Sequence, residues 1–587
     1  MHVIEATTRR RWTIRTPRLH RTLTTSLAAS VACGLALLGV LGPTGPEESA
    51  ATFIVQGRDL VTAAAAVRTV GGTVTHELGI IHGVGATLTS KQASRLATEC
   101  GECRLHEDRA ARLMGKPGPE LPEAGFPTLI GAAVLHAFGV QGQGVTVAVV
   151  DSGFLPVRAY TKSSSGANRV LAQYDAFTDT LSGKKLKSDD TYGHGSHVTG
   201  IIASSAQGFL GTYHGIAPGA SLVSVKAFDE NGGSTYATVI RAIDWIVQNK
   251  DVYDIRILNA SFGAPVGSFY WEDPINQAVM AAWRAGIVVV ASAGNTGPDP
   301  MTIQVPGNVP YVITVGAMTD NYTPLEGDDD FLASFSAAGP TYEGHIKPDL
   351  VAPGGHALSK VEQTDKLGVD FPHYFVDSEH YRLSGTSQAA AVVSGVAALM
   401  LSQDPYLSPD DVKCRLIASA RPAVDPSGNK AYSIFQQGSG LVAALGAVHS
   451  EEAGCANYSL DIDLDLAGLE HFGGPAWQDE DGNYYVLGAE DSGFLWDGTY
   501  ASGSGYPWNS GYPWNNGYPW NNGFPWSNGY PWSNGYPWSD AAASSKSAAP
   551  ADGALDSGSD GGLVSEEPAF TPLTERAVSV IEPVPQE

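Results

Sequence analysis

The sequence predicts an α/β protein with a mostly parallel central sheet, preceded by a small α+β module. Three observations carry that expectation. GVTVAVV before Asp151 and GIVVVASA before Asn295 are unbroken apolar runs of strand length, as strands buried on both faces require. GHGSHVTGIIASS and SGTSQAAAVVSGVAALML are glycine-led entries into apolar helices. Upstream, strand-like ATFIVQ and GGTVTHELGIIHGVGATLT alternate with helix-like DLVTAAAAVRTV and SKQASRLATE.

Each element of the larger part ends on a residue with chemical potential. Asp151 closes the first apolar run, and open α/β sheets keep ligands at the carboxyl ends of such strands. DSG is also a common turn, so alone it decides little. His194 leads a helix, and imidazole exchanges protons near neutral pH. His197, three residues on, reads as structural. A zinc site at these two histidines lacks an intervening Glu and a third ligand at suitable spacing. Asn295 ends the second run, where its amide can donate to an oxyanion or simply form a turn before Thr296 and Gly297. Ser387 follows Gly385 and Thr386 at the start of an alanine-rich helix. Backbone N–H groups and the helix dipole favour negative charge there. A lone Ser in that place would be a helix cap. A serine hydroxyl becomes a nucleophile when a base, itself oriented by a carboxylate, stands beside it. The four motifs supply all of these in one order over about 240 residues, the length of one domain.

On these motifs the chain resembles the subtilisin-type serine proteases, the subtilases, over roughly residues 125–450. GIAPGASLVSVKAF from Gly215, LNASFG from Leu258, VPYVITVGA from Val309, FSAAGP from Phe335 and KPDLVAPG from Lys347 agree. The resemblance implies a subtilisin-like three-layer fold and a secreted serine endopeptidase acting through an acyl-enzyme. It assigns Asp151, His194 and Ser387 as the triad and Asn295 as the oxyanion donor. It implies that Ser261, Phe262 and Gly263 on one side, and Gly232, Gly233 and Ser234 on the other, flank an extended peptide. Glycines permit the close backbone approach that such pairing needs. Ser196, Thr199 and Gln388 depart mildly from the commonest pattern. Gln388 stands where Met is usual, and nothing in the sequence explains it.

The small module, residues 52–112, resembles the inhibitory prodomain of that family, an open sandwich that would template folding and block the cleft. The Pro- and Gly-rich linker, 113–127, is where self-cleavage is expected. The peptidase domain is then expected over 128–455. The resemblance leaves calcium open as a stabilising ion. The loop SSAQGFLGTYHG lacks the Asn-rich run that commonly binds it, and Glu326, Asp328, Asp329 and Asp330 read as an acidic surface turn. No metal site is assigned.

The ends of the chain point to export. Arg9, Arg10, Arg11, Arg15, Arg18 and Arg21 precede an apolar stretch over 26–42 and the small residues Ser49, Ala50 and Ala51. That order reads as a signal peptide over 1–51, the apolar stretch being short of the roughly 20 residues of a spanning helix. Cys33 would leave with it. Cys100, Cys103, Cys414 and Cys455 can make two disulfides in an oxidising compartment, the first two as a local staple. The expected location is secreted or at the cell surface.

An acidic linker over 456–492 leads to a tryptophan-repeat array over 493–540. GYPWNS, GYPWNN, GYPWNN, GFPWSN, GYPWSN and GYPWSD fill 505–540, and GFLWDG from Gly493 is in phase with them. Proline at period six excludes a helix. Stacked aromatics could bind carbohydrate or a cell surface, or the array could be a spacer. A binding protein whose protease fold is a relic is the competing reading, against which the intact motifs speak. Beyond residue 450 the chain holds 21 acidic residues against Lys546 and Arg576, so about −19 of the net −26 lies there. The end, 541–587, therefore reads as an acidic solvated tail. Nucleic acid is excluded as a partner by phosphate repulsion. Proteins and peptides are the expected substrates, with the prodomain as intramolecular inhibitor.

Overall fold

The computed structural model describes residues 50–113, 124–182, 185–208, 211–323, 329–424, 430–486 and 495–500. The leader to residue 49, most of the linker and the six hexads lie outside them.

The front module is a four-stranded antiparallel sheet. Its strands are β1 (Ala50–Gln56), β2 (Thr73–Leu78), β3 (Gly83–Thr89) and β4 (Arg104–Glu107), in the order β2-β3-β1-β4. Helices Leu60–Thr69 and Ser90–Glu99 pack on it. Asp59 caps the first by accepting the Thr62 N–H at 2.7 Å, and Thr89 with Gln92 closes a capping box on the second. Two boundaries differ from expectation. The sheet starts at Ala50, within the segment read as leader, because Ala50 and Ala51 pair with Thr89 and Leu88. The strand β4 was not anticipated, since four residues with charged ends carry no detectable alternation. The Cys100–Cys103 disulfide closes the turn before it.

The strand β5 (Ala110–Leu113) leaves this module for the larger part. There follow β6 (Thr146–Asp151), β7 (Val170–Asp175), β8 (Thr180–Leu181), β9 (Ser221–Lys226), β10 (Gly233–Thr235), β11 (Ile255–Ala260), β12 (Phe262–Gly263), β13 (Val288–Ser292), β14 (Ile313–Thr319), β15 (Phe331–Leu332) and β16 (Leu350–Pro353). Seven strands run parallel in the order β7-β9-β6-β11-β13-β14-β16, with β8 and β15 antiparallel beside β7 and β14. Every residue of β6, β13 and β14 is buried, which is why their sequences are continuous apolar runs. Helix Thr386–Gln403 packs with helix His194–Ala203, and helix Tyr236–Gln248 packs with helix Pro274–Arg284. This is the three-layer, mostly parallel α/β fold that the sequence led to.

From β6 the chain builds β9 and β7 on one side, then β11, β13, β14 and β16 on the other. Connections diverge at that point and open a crevice at the carboxyl ends of β6 and β11. Asp151, Ser261 and Asn295 all follow strands that end there.

The hairpin β17 (Ala357–Lys360) and β18 (His380–Leu383) precedes the long helix. Beyond residue 455 the acidic linker expected over 456–492 is not what the described residues form. A helix (Ile462–Leu466) and a hairpin of β19 (Ala476–Gln478) and β20 (Tyr484–Val486) pack on the larger part. Asp465, 3 % exposed, accepts hydrogen bonds from the Tyr270 hydroxyl at 2.6 Å, the Tyr311 hydroxyl at 3.0 Å and His471 Nδ1 at 2.7 Å. Composition misled because this acid is an internal acceptor and Leu460, Ile462 and Leu466 pack against the core. The domain also begins earlier than residue 128, since Ala124 and Phe126 are core residues. The Cys414–Cys455 disulfide thus lies inside it.

Candidate active site

Asp151 at the end of β6 and His194 at the start of its helix come together, and Ser387 opens helix Thr386–Gln403, which packs with the His194 helix. His194 Nδ1 lies 2.9 and 3.0 Å from the two Asp151 carboxylate oxygens, and all three side chains are buried. Burial raises the Asp151 carboxyl above the usual range, opposed by His194 and the Ser152 N–H. That N–H reaches Asp151 Oδ1 at 2.8 Å. Ser387 Oγ donates to the Ser261 carbonyl at 3.0 Å. Ser261 Oγ returns a bond to the Ser387 carbonyl at 2.9 Å, and Asn259 Nδ2 donates to Ser261 Oγ at 2.8 Å. Helix Thr386–Gln403 and the crevice wall at Ser261 are therefore locked reciprocally.

The orientation of Asn295 follows from its partners. Its Oδ1 accepts both the Thr386 N–H and the Thr386 hydroxyl, each at 2.9 Å. A backbone N–H can bond only the oxygen of an amide, so Nδ2 faces away from Thr386. His197 is fully buried, its Nε2 is 3.1 Å from the Tyr381 carbonyl, and burial depresses its pKa to about 3. It is held neutral in the packing, as the sequence suggested.

The cleft walls are occupied. The strand β5 lies between β10 and β12, antiparallel to both. Leu113 stands opposite Phe262, Arg112 opposite Gly263 and Gly233, Ala111 opposite Ser234, and Ala110 opposite Thr235. Of the expected flanking residues, Phe262, Gly263, Gly233 and Ser234 pair with this strand. Ser261 turns to Ser387 instead. Gly232 does not pair: it is a turn residue at φ +71°, where a Cβ would lie 2.8 Å from the Tyr192 ring. Thr235, not singled out before, takes the third place.

Sequence reasoning missed two sets of residues. The first is Asp190, 4 % exposed, four residues before His194. Gly193 at the start of the His194 helix has no side chain to cap it. Asp190 does so from a distance: Oδ2 accepts the Ser196 N–H at 2.7 Å and its hydroxyl at 2.6 Å, and Oδ1 accepts the Gly193 N–H at 2.8 Å. The Asp-x-x-Gly-His spacing was the available signal.

The second set docks the front module. Asp108 Oδ1 accepts the Ala237 N–H at 3.0 Å, capping helix Tyr236–Gln248. Arg109 Nη2 reaches Asp273 Oδ2 at 3.1 Å and its guanidinium lies 5.1 Å above the Tyr236 ring. The two hydrogen bonds span 129 and 164 positions, beyond any local pattern. Among the four expected acidic turn residues, Asp329 accepts from Thr323 and Asn321, whereas Glu326 and Asp328 lie outside the described residues.

A buried carboxylate–imidazole pair, a serine opening the helix packed with that of the imidazole, and a crevice that holds an extended strand fit a serine-type peptidase. The chain belongs to the subtilase family of peptidases: residues 142–440 match that family, and the protein is a serine-type endopeptidase. It is 37% identical to serine protease AprX of Bacillus subtilis (strain 168) over 334 residues, 56% of this chain and 72% of AprX. It is 33% identical to subtilisin DY of Bacillus licheniformis over 300 residues, 50% of this chain and 90% of that protein. Among solved structures, fervidolysin from Fervidobacterium pennivorans, a keratinolytic enzyme related to subtilisin, shares the fold. Its TM-score is 0.54 at 22% identity, covering 76% of this chain and 68% of fervidolysin.

Proposed function

We propose that this endopeptidase is exported as a zymogen that cuts itself, and that Asp151, His194 and Ser387 are its triad. His194 takes the Ser387 hydroxyl proton as Oγ attacks the scissile carbonyl carbon, and Asp151 holds the imidazole in the tautomer that can accept it. The oxyanion is stabilised by Asn295 Nδ2 and the Ser387 backbone N–H. The proton passes from His194 to the leaving amine, and water then hydrolyses the acyl-enzyme, regenerating Ser387.

The observation that carries this reading is the pairing of β5 with both cleft walls. The front module delivers its own chain end to the crevice as a substrate would be delivered, by main-chain bonds. Leu113, opposite Phe262, is the last residue of the paired strand, and the bond taken to be cut is the next one along the chain, Met114–Gly115. The linker position expected from the sequence includes this bond. Two disulfides and the basic, apolar leader support an extracellular destination.

The test is to express the natural chain beside Ser387→Ala and to determine the N-terminus of each. The natural chain should begin at Gly115 and digest unfolded casein, while the variant keeps its front module and has no activity. Equal processing in both would sink the triad assignment. The competing reading, a surface-binding protein with a relic fold, is not favoured by this geometry. Binding of the tail to carbohydrate or cell walls is the part of it that survives as a question for the repeats.

A further inference from the structure

The tryptophan array has no part in the chemistry above, yet its first unit falls within the described residues. In GFLWDG the residues from Leu495 on are placed. Trp496, 6 % exposed, sits against Phe435 and Tyr484, ring centroids 5.9 and 5.8 Å away, over a floor that includes Ile346 and Ile434. Its backbone extends the β19–β20 hairpin: Trp496 N–H reaches the Tyr484 carbonyl at 2.8 Å, and the Tyr484 N–H reaches the Trp496 carbonyl at 2.7 Å. The indole N–H donates to the Thr499 carbonyl at 2.8 Å. Asp497 Oδ1 accepts the Thr499 N–H at 3.0 Å, and Gly498 has φ +80°.

Five of the six hexads meet these requirements at every position, and GYPWNS departs only at its last. The tryptophan is invariant in all six, and its indole bond needs only a backbone carbonyl three residues on. The next position is Asn or Ser, each with a side-chain oxygen that can accept as Asp497 does. The position after that is Asn or Asp in five of six hexads, the side chains that best tolerate a positive φ. A Cβ there stands 3.1 Å from Pro300 Cγ, so that ring must shift slightly. The residue before tryptophan is always Pro. Its counterpart Leu495 is 59 % exposed, and the hairpin bonds run through Trp496, so an imino acid costs no pairing.

We propose that the pocket beneath Trp496 is a socket for the tail's tryptophan hexads, and that a hexad from a second copy of this chain is its exchangeable occupant. The chain carries one such socket among its described residues, filled by its nearest plug, and six further plugs that this filled socket leaves unmatched. No charged residue occurs between 505 and 539, so the array can approach a protein whose net charge is −26. The buried tryptophan in an aromatic pocket is the kind of anchor that dominates an interface, and repetition raises the local concentration of plugs.

Full-length protein carrying Ser387→Ala tests this without self-digestion. Adding Trp496→Ala empties the socket. That variant should form concentration-dependent dimers and larger species by sedimentation, with the Tyr484–Val486 amides still protected from exchange. A second variant, with the six hexad tryptophans also changed to Ala, should be monomeric with that hairpin exchanging at least about tenfold faster. The synthetic peptide GYPWNNGYPWNN should then restore protection, and its Trp→Ala version should not. A Trp496→Ala chain that stays monomeric at all concentrations overturns the proposal. So does failure of the peptide to protect the second variant.

Discussion

Ser152 Oγ donates to Asp190 Oδ1 at 2.8 Å and accepts the Gly195 N–H at 2.9 Å, tying the strand end that carries Asp151 to the helix that carries His194. With the capping bonds to Gly193 and Ser196, Asp190 sets the separation of the carboxylate and the imidazole without touching substrate. Asp190→Asn removes the charge and presents an N–H to donors. A misplacement of this kind costs about 10²-fold in catalysis. The expected result is a fall of that size in kcat with KM nearly unchanged, and with thermal stability lowered by no more than a few degrees. A proportional rise in KM would show the residue to be merely structural.

Asn295→Leu removes the only side-chain donor assigned to the oxyanion and leaves the Thr386 N–H without its acceptor. The loss in kcat should be about 10²–10³-fold, the size known for this donor in subtilisin and not one derived from the present geometry. Steady-state kinetics on one peptide substrate checks it. An unchanged kcat would show that backbone N–H groups suffice.

Arg109→Ala should weaken the hold of the front module on the mature enzyme. The pair with Asp273 is mostly buried and the guanidinium also covers the Tyr236 ring. Loss of both contacts is worth roughly 1–2 kcal/mol, or about 5–30-fold in the inhibition constant of the module added in trans. The same substitution should leave the kcat of the mature enzyme alone, because Arg109 departs with the module.

Glu343 is fully buried, and burial pushes its pKa up to about 7. Its Oε1 accepts the Tyr270 N–H at 2.7 Å, while Oε2 has no hydrogen-bond partner among the described residues. A carboxyl raised in the folded state binds its proton more tightly there, so its contribution is fully present below the unfolded value and is lost as pH rises through about 7. Glu343→Gln in the Ser387→Ala background should flatten stability between pH 5 and 8. The relative gain at pH 8 should be on the order of 2–3 kcal/mol. Denaturant unfolding at several pH values reads this, and parallel pH dependences in the two proteins would refute it.

The residues proposed for the site were legible because each sits at the end of a local signal. Asp151 and Asn295 terminate apolar runs, and His194 and Ser387 open helices after glycine. Such signals act over a few residues, within reach of backbone geometry and hydrophobic periodicity. The sequence by itself thus determined the sheet, its polarity and the four side chains at its carboxyl edge. Only the tertiary structure decided how they are supported and what fills the cleft. Arg109 reaches Asp273 from 164 positions away, β5 takes its register from strands more than a hundred residues away, and Asp465 is an internal acceptor inside an acidic stretch. Those arrangements depend on which distant segments meet, and composition averages over that choice.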